Sequence, residues 1–160
     1  MTDKMMKKIL NPWVKREGYD CFGCCPTNPY GVHMEFYEDG DDVVSLWQPR
    51  QHYQSWINTM HGGILSTLID ETAGWVVFRK LQTSGMTTHL DVHYKKAVST
   101  LEPQLTIRGR IVEQKRNFAF IDVTIENSKG ELCVEGQATY FCMNGEKAKE
   151  MGFEECKVEE

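Results

Sequence analysis

Hydrophobic residues recur along this chain in two periods, and the change of period separates strands from a helix. Between residues 62 and 81 apolar side chains cover most of a helical wheel, so the pattern predicts one long buried helix. Elsewhere apolar and polar positions alternate, as in half-buried strands. The alternating segments are residues 32–37, 43–47, 87–98, 105–111, 119–126 and 132–143.

The order of these elements is two strands, one helix and four strands. Short turns join most successive strands, which favours antiparallel pairing. A single helix cannot cover both faces of such a sheet. We therefore predict an α+β architecture in which a curved antiparallel sheet of about five to six strands wraps around one long central helix, over about residues 62–81. Part of the sheet stays available to a second subunit.

Three segments follow from this pattern. Residues 1–30 are rich in turns, and the helical spacing of Met6, Ile9, Leu10 and Trp13 predicts a short helix packed on the domain. Residues 31–144 hold the predicted helix and strands. Residues 145–160 are charged, and we expect a frayed tail or a short helix there.

Composition excludes several classes of protein. The 160 residues carry a net charge of −5, which argues against a nucleic-acid-binding protein. The sequence holds no apolar run near the ~18 residues that a membrane helix needs. The first 18 residues also lack the apolar core of a secretory signal. We expect a cytoplasmic protein that binds neither a membrane nor nucleic acid.

The six cysteines suggest two further alternatives, a disulfide framework and a metal site. Reduced thiols are expected in a cytoplasmic chain with a full-sized core. Cys21 and Cys24 form one C-x-x-C pair, followed by Cys25 and later by His33. A structural zinc site normally needs a second pair of ligands at regular spacing, and the sequence offers none. We therefore predict no metal and no cofactor.

The predicted helix begins at a histidine and two glycines, His61-Gly62-Gly63. The first N–H groups of a helix have no partner within it and carry partial positive charge. Glycine allows a ligand to approach this backbone closely, so the N–H groups can receive the oxyanion of an acyl-transfer reaction. A tight packing contact between helix and sheet explains the same pair of glycines.

One narrow face of the helix is polar and small. It contains Ser66, Thr67, Asp70 and Gly74. A buried aspartate must be paired, protonated or functional, so Asp70 is either a catalytic acid–base group or a hydrogen-bonded structural carboxylate. Glu71 is the second candidate base, and a solvated or subunit-pairing role explains it equally well.

The segment HGGILSTLIDETAGW resembles the HGG-x(6)-D motif of hotdog-fold acyl-CoA thioesterases, in the phenylacetate-pathway (PaaI-like) branch. Upstream, CFGCCPTNPYGV resembles the Cys-Phe-x-Cys-Gly-x-x-Asn-Pro-x-Gly-Leu stretch that often precedes that fold. TTHLDVHYKKAV is similar to the first strand after the family's central helix. The resemblance covers roughly residues 20–144, and its motifs are more specific for the fold than for a substrate.

The resemblance implies a role for each matching residue. Asp70 is the general base or nucleophile, the Gly62 N–H is the oxyanion donor, and His61 orders the loop and contacts the thioester oxygen. Thr87 assists the water from a partner subunit. Four further residues are implied in substrate binding, namely Gly63, Ser55, Asn58 and Ser66.

Three positions depart from the family pattern. Ser55 stands where the family often has asparagine or glutamine, Asn58 where glycine is common, and Ala97 where the strand usually has proline. Ser55 and Asn58 lie in the loop that precedes the helix, and Ala97 lies in the strand that follows it. The three departures affect the expected loop conformation and the positioning of water, and not the expected fold.

The implied activity is hydrolysis of a CoA or carrier-protein thioester by a homodimer or homotetramer. Two other functions stay open, a non-catalytic acyl-CoA-binding or sensing protein on the same fold and a dehydratase or isomerase for acyl thioesters. The phosphates of CoA suggest a cationic rim, for which the candidates are Lys95, Lys96, Arg108, Arg110, Lys115 and Arg116.

Overall fold

A single antiparallel sheet of seven strands forms the frame of the protein. The structure, a computed structural model, describes residues 6–160. The strands are β1 (Lys7–Lys8), β2 (Tyr37–Asp39), β3 (Asp42–Trp47), β4 (Gly85–Tyr94), β5 (Leu105–Lys115), β6 (Phe118–Glu126) and β7 (Leu132–Cys142). Their order across the sheet is β1-β2-β3-β5-β6-β7-β4. The predicted hotdog architecture is confirmed, with the two-residue β1 as an additional strand.

One helix lies along this sheet. It is α1 (Gly62–Val76), and a π-helical turn over Val77–Leu81 extends it until Gln82, which has a positive φ of 51°. The predicted range of 62–81 is therefore confirmed, although its last turn is wound more widely than an α-helix. In that turn Arg79 and Lys80 both bind the carboxylate of Glu38, at 2.8 and 2.7 Å.

Alternation along the strands decides which side chains face the helix. In β6 the side chains of Ala119, Ile121, Val123 and Ile125 are almost completely buried, and the residues between them are more exposed. On the helix, Leu68, Ile69, Ala73 and Val76 are fully buried. This apolar interface between α1 and the sheet is the core of the protein.

Two glycines in the sheet allow the helix to lie close to it. A Cβ atom added at Gly136 in β7 would lie 2.6 Å from Cγ2 of Ile69, and one added at Gly109 in β5 would lie 3.0 Å from Cγ2 of Val76. Any larger residue at Gly136 would push α1 and β7 apart. The closeness of this contact fixes the depth at which the helix sits.

The N-terminal segment differs from its prediction. Lys7 and Lys8 form a strand that pairs with β2, and Ile9 forms a bridge with Val158, so the short helix predicted there is wrong. These residues are extended and not helical, because the backbone groups at the edge of β2 pair with them. Residues 1–5 of this segment lie outside the described residues.

Two further segments differ from their predicted structure. Of the strand predicted over residues 32–37, only Tyr37 is in β2, although Val32, Met34 and Phe36 are still buried. The C-terminal tail begins with a short helix, α2 (Gly145–Glu150), and buries Phe153 and Cys156, so it is not frayed. The division of the chain at residues 30 and 144 stays a prediction.

Within residues 6–160 no helix has both the length and the apolar character needed to cross a lipid bilayer.

We expect Gly136→Ala to destabilise the protein by about 1–3 kcal/mol, because the added methyl group overpacks the contact with Ile69. Urea unfolding followed by circular dichroism measures this loss. Gly145→Ala is the matched control, since a Cβ atom there meets no other atom within 4 Å. Equal stability of Gly136→Ala and the parent would contradict the close packing.

Candidate functional site

Asp70 lies half-buried on α1, and hydroxyl groups from two strands hold its carboxylate. The Thr87 hydroxyl of β4 donates to Oδ1 at 2.7 Å. The Tyr140 hydroxyl of β7 lies 3.0 Å from the same Oδ1 and 2.8 Å from the backbone oxygen of Asp70. Oδ2 has no hydrogen-bond partner among residues 6–160. This arrangement fixes one carboxylate oxygen and leaves the second free to accept a proton.

Thr87 binds Asp70 of its own chain. The resemblance implies that this threonine assists from a partner subunit, which stays a prediction; within one chain its hydroxyl already lies 2.7 Å from Oδ1 of Asp70. The reason is topological, because β4 follows α1 directly in the sequence and returns alongside the same helix.

Tyr140 is a site residue that no sequence motif indicated. Its ring is buried, and burial followed by the negative charge of Asp70 raises the pKa of its phenol well above the usual range. It therefore stays protonated and able to donate. Gly74 leaves room for it, since a Cβ atom there would lie 3.2 Å from the Tyr140 hydroxyl. One sequence feature could have indicated it, because Tyr140 lies on the same alternating strand face as Val134 and Ala138, and a buried tyrosine hydroxyl usually has a hydrogen-bond partner.

At the other end of α1, His61 caps the helix. Its Nδ1 accepts a hydrogen bond from the Gly63 N–H at 2.9 Å. The Gly62 N–H has no acceptor in the part of the chain that the structure describes. Of the two glycines, Gly62 therefore offers the free donor, and the N–H of Gly63 is already satisfied.

A tyrosine from β4 braces this helix start. The Tyr94 hydroxyl donates to the Gly62 backbone oxygen at 2.9 Å and also contacts the Ser66 hydroxyl. Ser66, a predicted substrate-binding residue, is thus held by Tyr94 on the surface. Tyr94 was not predicted as a site residue, and its half-exposed ring beside Gly62 is visible only in the tertiary structure.

The loop before the helix holds Ser55 and Asn58. Asn58 has φ +60°, a conformation that glycine adopts freely and asparagine tolerates, which explains both residue types at this position. Its side-chain oxygen accepts from Gln51 at 2.8 Å. The Ser55 N–H donates to the Thr59 oxygen at 2.8 Å, and the Ser55 side chain is exposed. The loop is therefore internally bonded despite its two departures from the family pattern.

The two chemical features of α1 are far apart within one chain. Gly62 and Asp70 are separated by eight helical residues, which correspond to about 12 Å at 1.5 Å per residue. A single thioester carbonyl cannot contact both groups of the same helix.

A second polar cluster lies on the next residue of α1. The Glu71 carboxylate Oε1 lies 3.5 Å from Cys21 Sγ and accepts from the Trp75 indole N–H at 3.2 Å. The Tyr19 hydroxyl lies 2.8 Å from Cys24 Sγ. The Glu71 side chain packs beneath the N-terminal segment, so neither a solvated nor a subunit-pairing role fits it.

The cluster shares its protons unevenly. The hydrogen bond from Cys24 lowers the pKa of Cys21 to about 5, and the same bond, together with burial, raises the pKa of Cys24 well above its usual range. Burial, followed by the charge of Cys21, raises the pKa of Glu71 to about 7. Cys21 is therefore the more acidic of the two thiols.

A cavity of about 330 Å³ connects the two clusters. Cys21 and Glu71 line one part of it, and Thr87 and Tyr140 line another. The residues that hold Asp70 and the residues around Glu71 thus face one common space.

Most of the predicted cationic rim is paired within the chain. Lys95 and Lys96 bind Glu135 and Glu131, and Arg108 and Arg110 both bind Asp42. Lys115 lies 3.6 Å from Glu113. These ion pairs explain the five residues as ordinary charged residues of the strand surfaces, without a role in binding CoA.

Known proteins that are similar in sequence to this chain are thioesterases. The family model of the thioesterase superfamily matches residues 57–134. Acyl-coenzyme A thioesterase THEM4 of Rattus norvegicus is 30% identical over 105 residues, which are 65% of this chain and 44% of the rat protein. The chain therefore spans less than half the length of this curated relative.

Solved structures that are similar to this chain are also thioesterases. A hypothetical thioesterase of Streptococcus pneumoniae, determined with coenzyme A, is 31% identical with a TM-score of 0.61, over 64% of this chain and 82% of that one. Zebrafish thioesterase superfamily member 2 is 22% identical with a TM-score of 0.61, over 68% of this chain and 80% of that one, and this match shows the fold alone.

Proposed function

Since this chain belongs to the thioesterase superfamily, we propose that it hydrolyses acyl-CoA or acyl-carrier-protein thioesters to a free acid and a thiol. The observation that carries the proposal is the Asp70 carboxylate, whose Oδ1 is held by two hydroxyls while Oδ2 has no hydrogen-bond partner within the described residues 6–160. The acyl-CoA thioesterase THEM4 and the coenzyme A-bound thioesterase support the CoA substrate. We place the chain in the PaaI-like branch on its CFGCCPTNPYGV motif.

In the proposed reaction Asp70 acts as a general base. Its Oδ2 accepts a proton from water, and the resulting hydroxide attacks the thioester carbon. The carbonyl oxygen becomes an oxyanion and receives a hydrogen bond from the Gly62 N–H. When the intermediate collapses, the C–S bond breaks and the thiolate takes the proton back from Asp70. Direct attack by Asp70 on the carbon, followed by hydrolysis of the anhydride, uses the same groups.

Thr87 and Tyr140 act on Asp70 and not on the substrate. Both hydroxyls lie within hydrogen-bond distance of Oδ1, so they orient the carboxylate and leave Oδ2 to act as the base. His61 positions the helix start by accepting from Gly63, which leaves the Gly62 donor free.

The distance between the start of α1 and Asp70, near its middle, requires a second copy of the chain. Gly62 and Asp70 of one helix lie about 12 Å apart, so the oxyanion donor must come from another subunit. The strand β4 forms an edge of the sheet, and Met86 and Tyr94 on it are more than half exposed. An exposed ten-residue edge strand is a natural pairing surface. We propose a two-fold dimer, alone or within a tetramer, with two shared sites.

A non-catalytic acyl-CoA-binding protein is the second candidate. It is favoured by Ser55, whose short side chain is exposed where the family often has an amide. A screen across acyl-CoA and acyl-carrier-protein thioesters, with detection of the free thiol, separates the two. Turnover of any of these thioesters supports the enzyme, and binding without turnover supports the alternative.

We expect Asp70→Asn to reduce turnover by about 10²–10⁴-fold, because an amide cannot accept the proton from water. The amide oxygen can still accept from Thr87 and Tyr140, so folding should persist. Steady-state release of free thiol, together with a circular dichroism spectrum, measures both properties.

Asp41→Asn, an exposed carboxylate in the β2–β3 turn, is the control and should retain the parent rate. If Asp70→Asn turns over like the parent while Glu71→Gln is inactive, the base is Glu71 and the assignment of Asp70 is wrong.

We expect Gly62→Pro to reduce turnover by about 10²–10³-fold, since proline removes the donor N–H. Proline is well tolerated at the first position of a helix, and His61 already has the extended backbone that precedes proline (φ −65°, ψ 131°). Gly62→Ala keeps the N–H, and its Cβ would meet Tyr94 at an ordinary 3.5 Å, so its loss should be much smaller.

Mixing Gly62→Pro with Asp70→Asn subunits tests the shared site. In each heterodimer one site carries both changes and the other carries neither. After unfolding and refolding together, an equal mixture should recover about a quarter of the parent activity. A mixture that stays as inactive as its components, although it forms heterodimers, would show that both groups act within one chain.

A further inference from the structure

Three metal-ligating groups converge between the N-terminal segment and α1. The ligand atoms of Cys21, Cys24 and Glu71 all lie within 4.8 Å of one another. At tetrahedral zinc, with bonds of roughly 2.1–2.3 Å, neighbouring ligand atoms lie about 3.6–3.8 Å apart. The 3.5 Å between Cys21 Sγ and Glu71 Oε1 is close to that spacing.

The backbone of the cysteine loop is held in place before any ion binds. The Cys25 N–H donates to the Cys21 oxygen at 3.0 Å, and the Met34 N–H donates to the Gly23 oxygen at 2.8 Å. Gly23 lies directly on Glu71, since a Cβ atom there would be 2.4 Å from the carboxyl carbon. Only glycine allows the loop to approach the helix so closely.

The third ligand is also oriented. The Trp75 indole N–H donates to Glu71 Oε1 at 3.2 Å, as the outer-shell partners of metal ligands do. On the other side, the Tyr19 hydroxyl lies 2.8 Å from Cys24 Sγ. Each of these two contacts fixes the direction of one ligand side chain.

We propose that Cys21, Cys24 and Glu71 bind one zinc ion per chain. Two thiolates and a carboxylate form a donor set that suits zinc among the common divalent cations. Three ligands leave one of the four tetrahedral positions for water. Cys21, Cys24 and Glu71 line the same cavity as Thr87 and Tyr140. The site joins the N-terminal segment to α1 at the residue that follows Asp70, so bound zinc would hold the two segments together.

This proposal revises the expectation of no metal. That expectation rested on the absence of a second ligand pair in the sequence, and the third ligand is instead supplied by the central helix. The proposal is independent of the thioesterase activity, because it concerns ion binding alone.

Cobalt(II) titration of the reduced protein under anaerobic conditions tests the site. We expect thiolate-to-cobalt charge-transfer absorption in the near ultraviolet that saturates at one ion per chain and disappears when zinc is added. Cys21→Ser and Cys24→Ser should each remove most of this absorption. Glu71→Gln should keep both thiolates but weaken binding by about tenfold or more.

Cys25→Ser is the matched control. Cys25 is buried next to Cys24, but its thiol contacts the Tyr19 backbone oxygen and Thr27 outside the cluster. The cobalt affinity of Cys25→Ser should equal that of the parent. Circular dichroism verifies that each variant is folded. If a serine variant fails to fold, Glu71→Gln still decides the question.

Two results would overturn the proposal. One is the absence of charge-transfer absorption in the folded, reduced parent. The other is an affinity that Glu71→Gln and Cys21→Ser leave unchanged. In that first case we expect the two thiols to form a Cys21–Cys24 disulfide in air, which mass spectrometry detects as the loss of two hydrogen atoms. A disulfide together with no metal uptake by the reduced protein would replace the zinc site by a redox-active thiol pair.

Discussion

The close contact between α1 and the concave face of the sheet is the constraint on which the rest of this protein depends. Buried side chains such as Ile69 and Val76 lie directly above Gly136 and Gly109. Because neither glycine adds a side chain on the sheet side of these contacts, Ile69 and Val76 pack directly on the strand backbone, and the helix has one depth and one rotation relative to the strands. Every functional group on α1 takes its position from that contact.

The rotation of the helix decides what surrounds each carboxylate. Asp70 faces β4 and β7, where Thr87 and Tyr140 donate to its Oδ1. Glu71, one residue further along the helix, faces the N-terminal segment and its cysteines. Two adjacent acidic residues thus acquire different chemistry, because successive helical residues point about 100° apart.

The length of the helix imposes a second condition. The N–H of Gly62 and the Oδ2 of Asp70, both without a partner in the described part of the chain, lie on one rigid element about 12 Å apart, so one carbonyl group cannot contact both within one chain. The edge position of β4 offers a way for two chains to come together. In the proposed dimer the rigidity of α1 places the donor of one subunit near the base of the other.

The sequence by itself determined the architecture and the principal candidates of the site. Hydrophobic periodicity defined the helix and most strands because both elements bury one face, and the HGG-x(6)-D motif identified Gly62 and Asp70 because it keeps a fixed helical spacing. The sequence pattern did not predict segments whose structure depends on contacts with residues far away in the chain. The strand at Lys7 forms by pairing with the edge of β2, and the C-terminal tail is buried by packing against the rest of the domain.

Only the tertiary structure decided the contacts between segments. Tyr140 reaches Asp70 from the last strand of the sheet, Thr87 reaches it from the same chain, and Glu71 completes a cluster with Cys21 and Cys24. No local pattern encodes these contacts, since they arise when the packing of α1 brings residues far apart in the sequence to within hydrogen-bond distance.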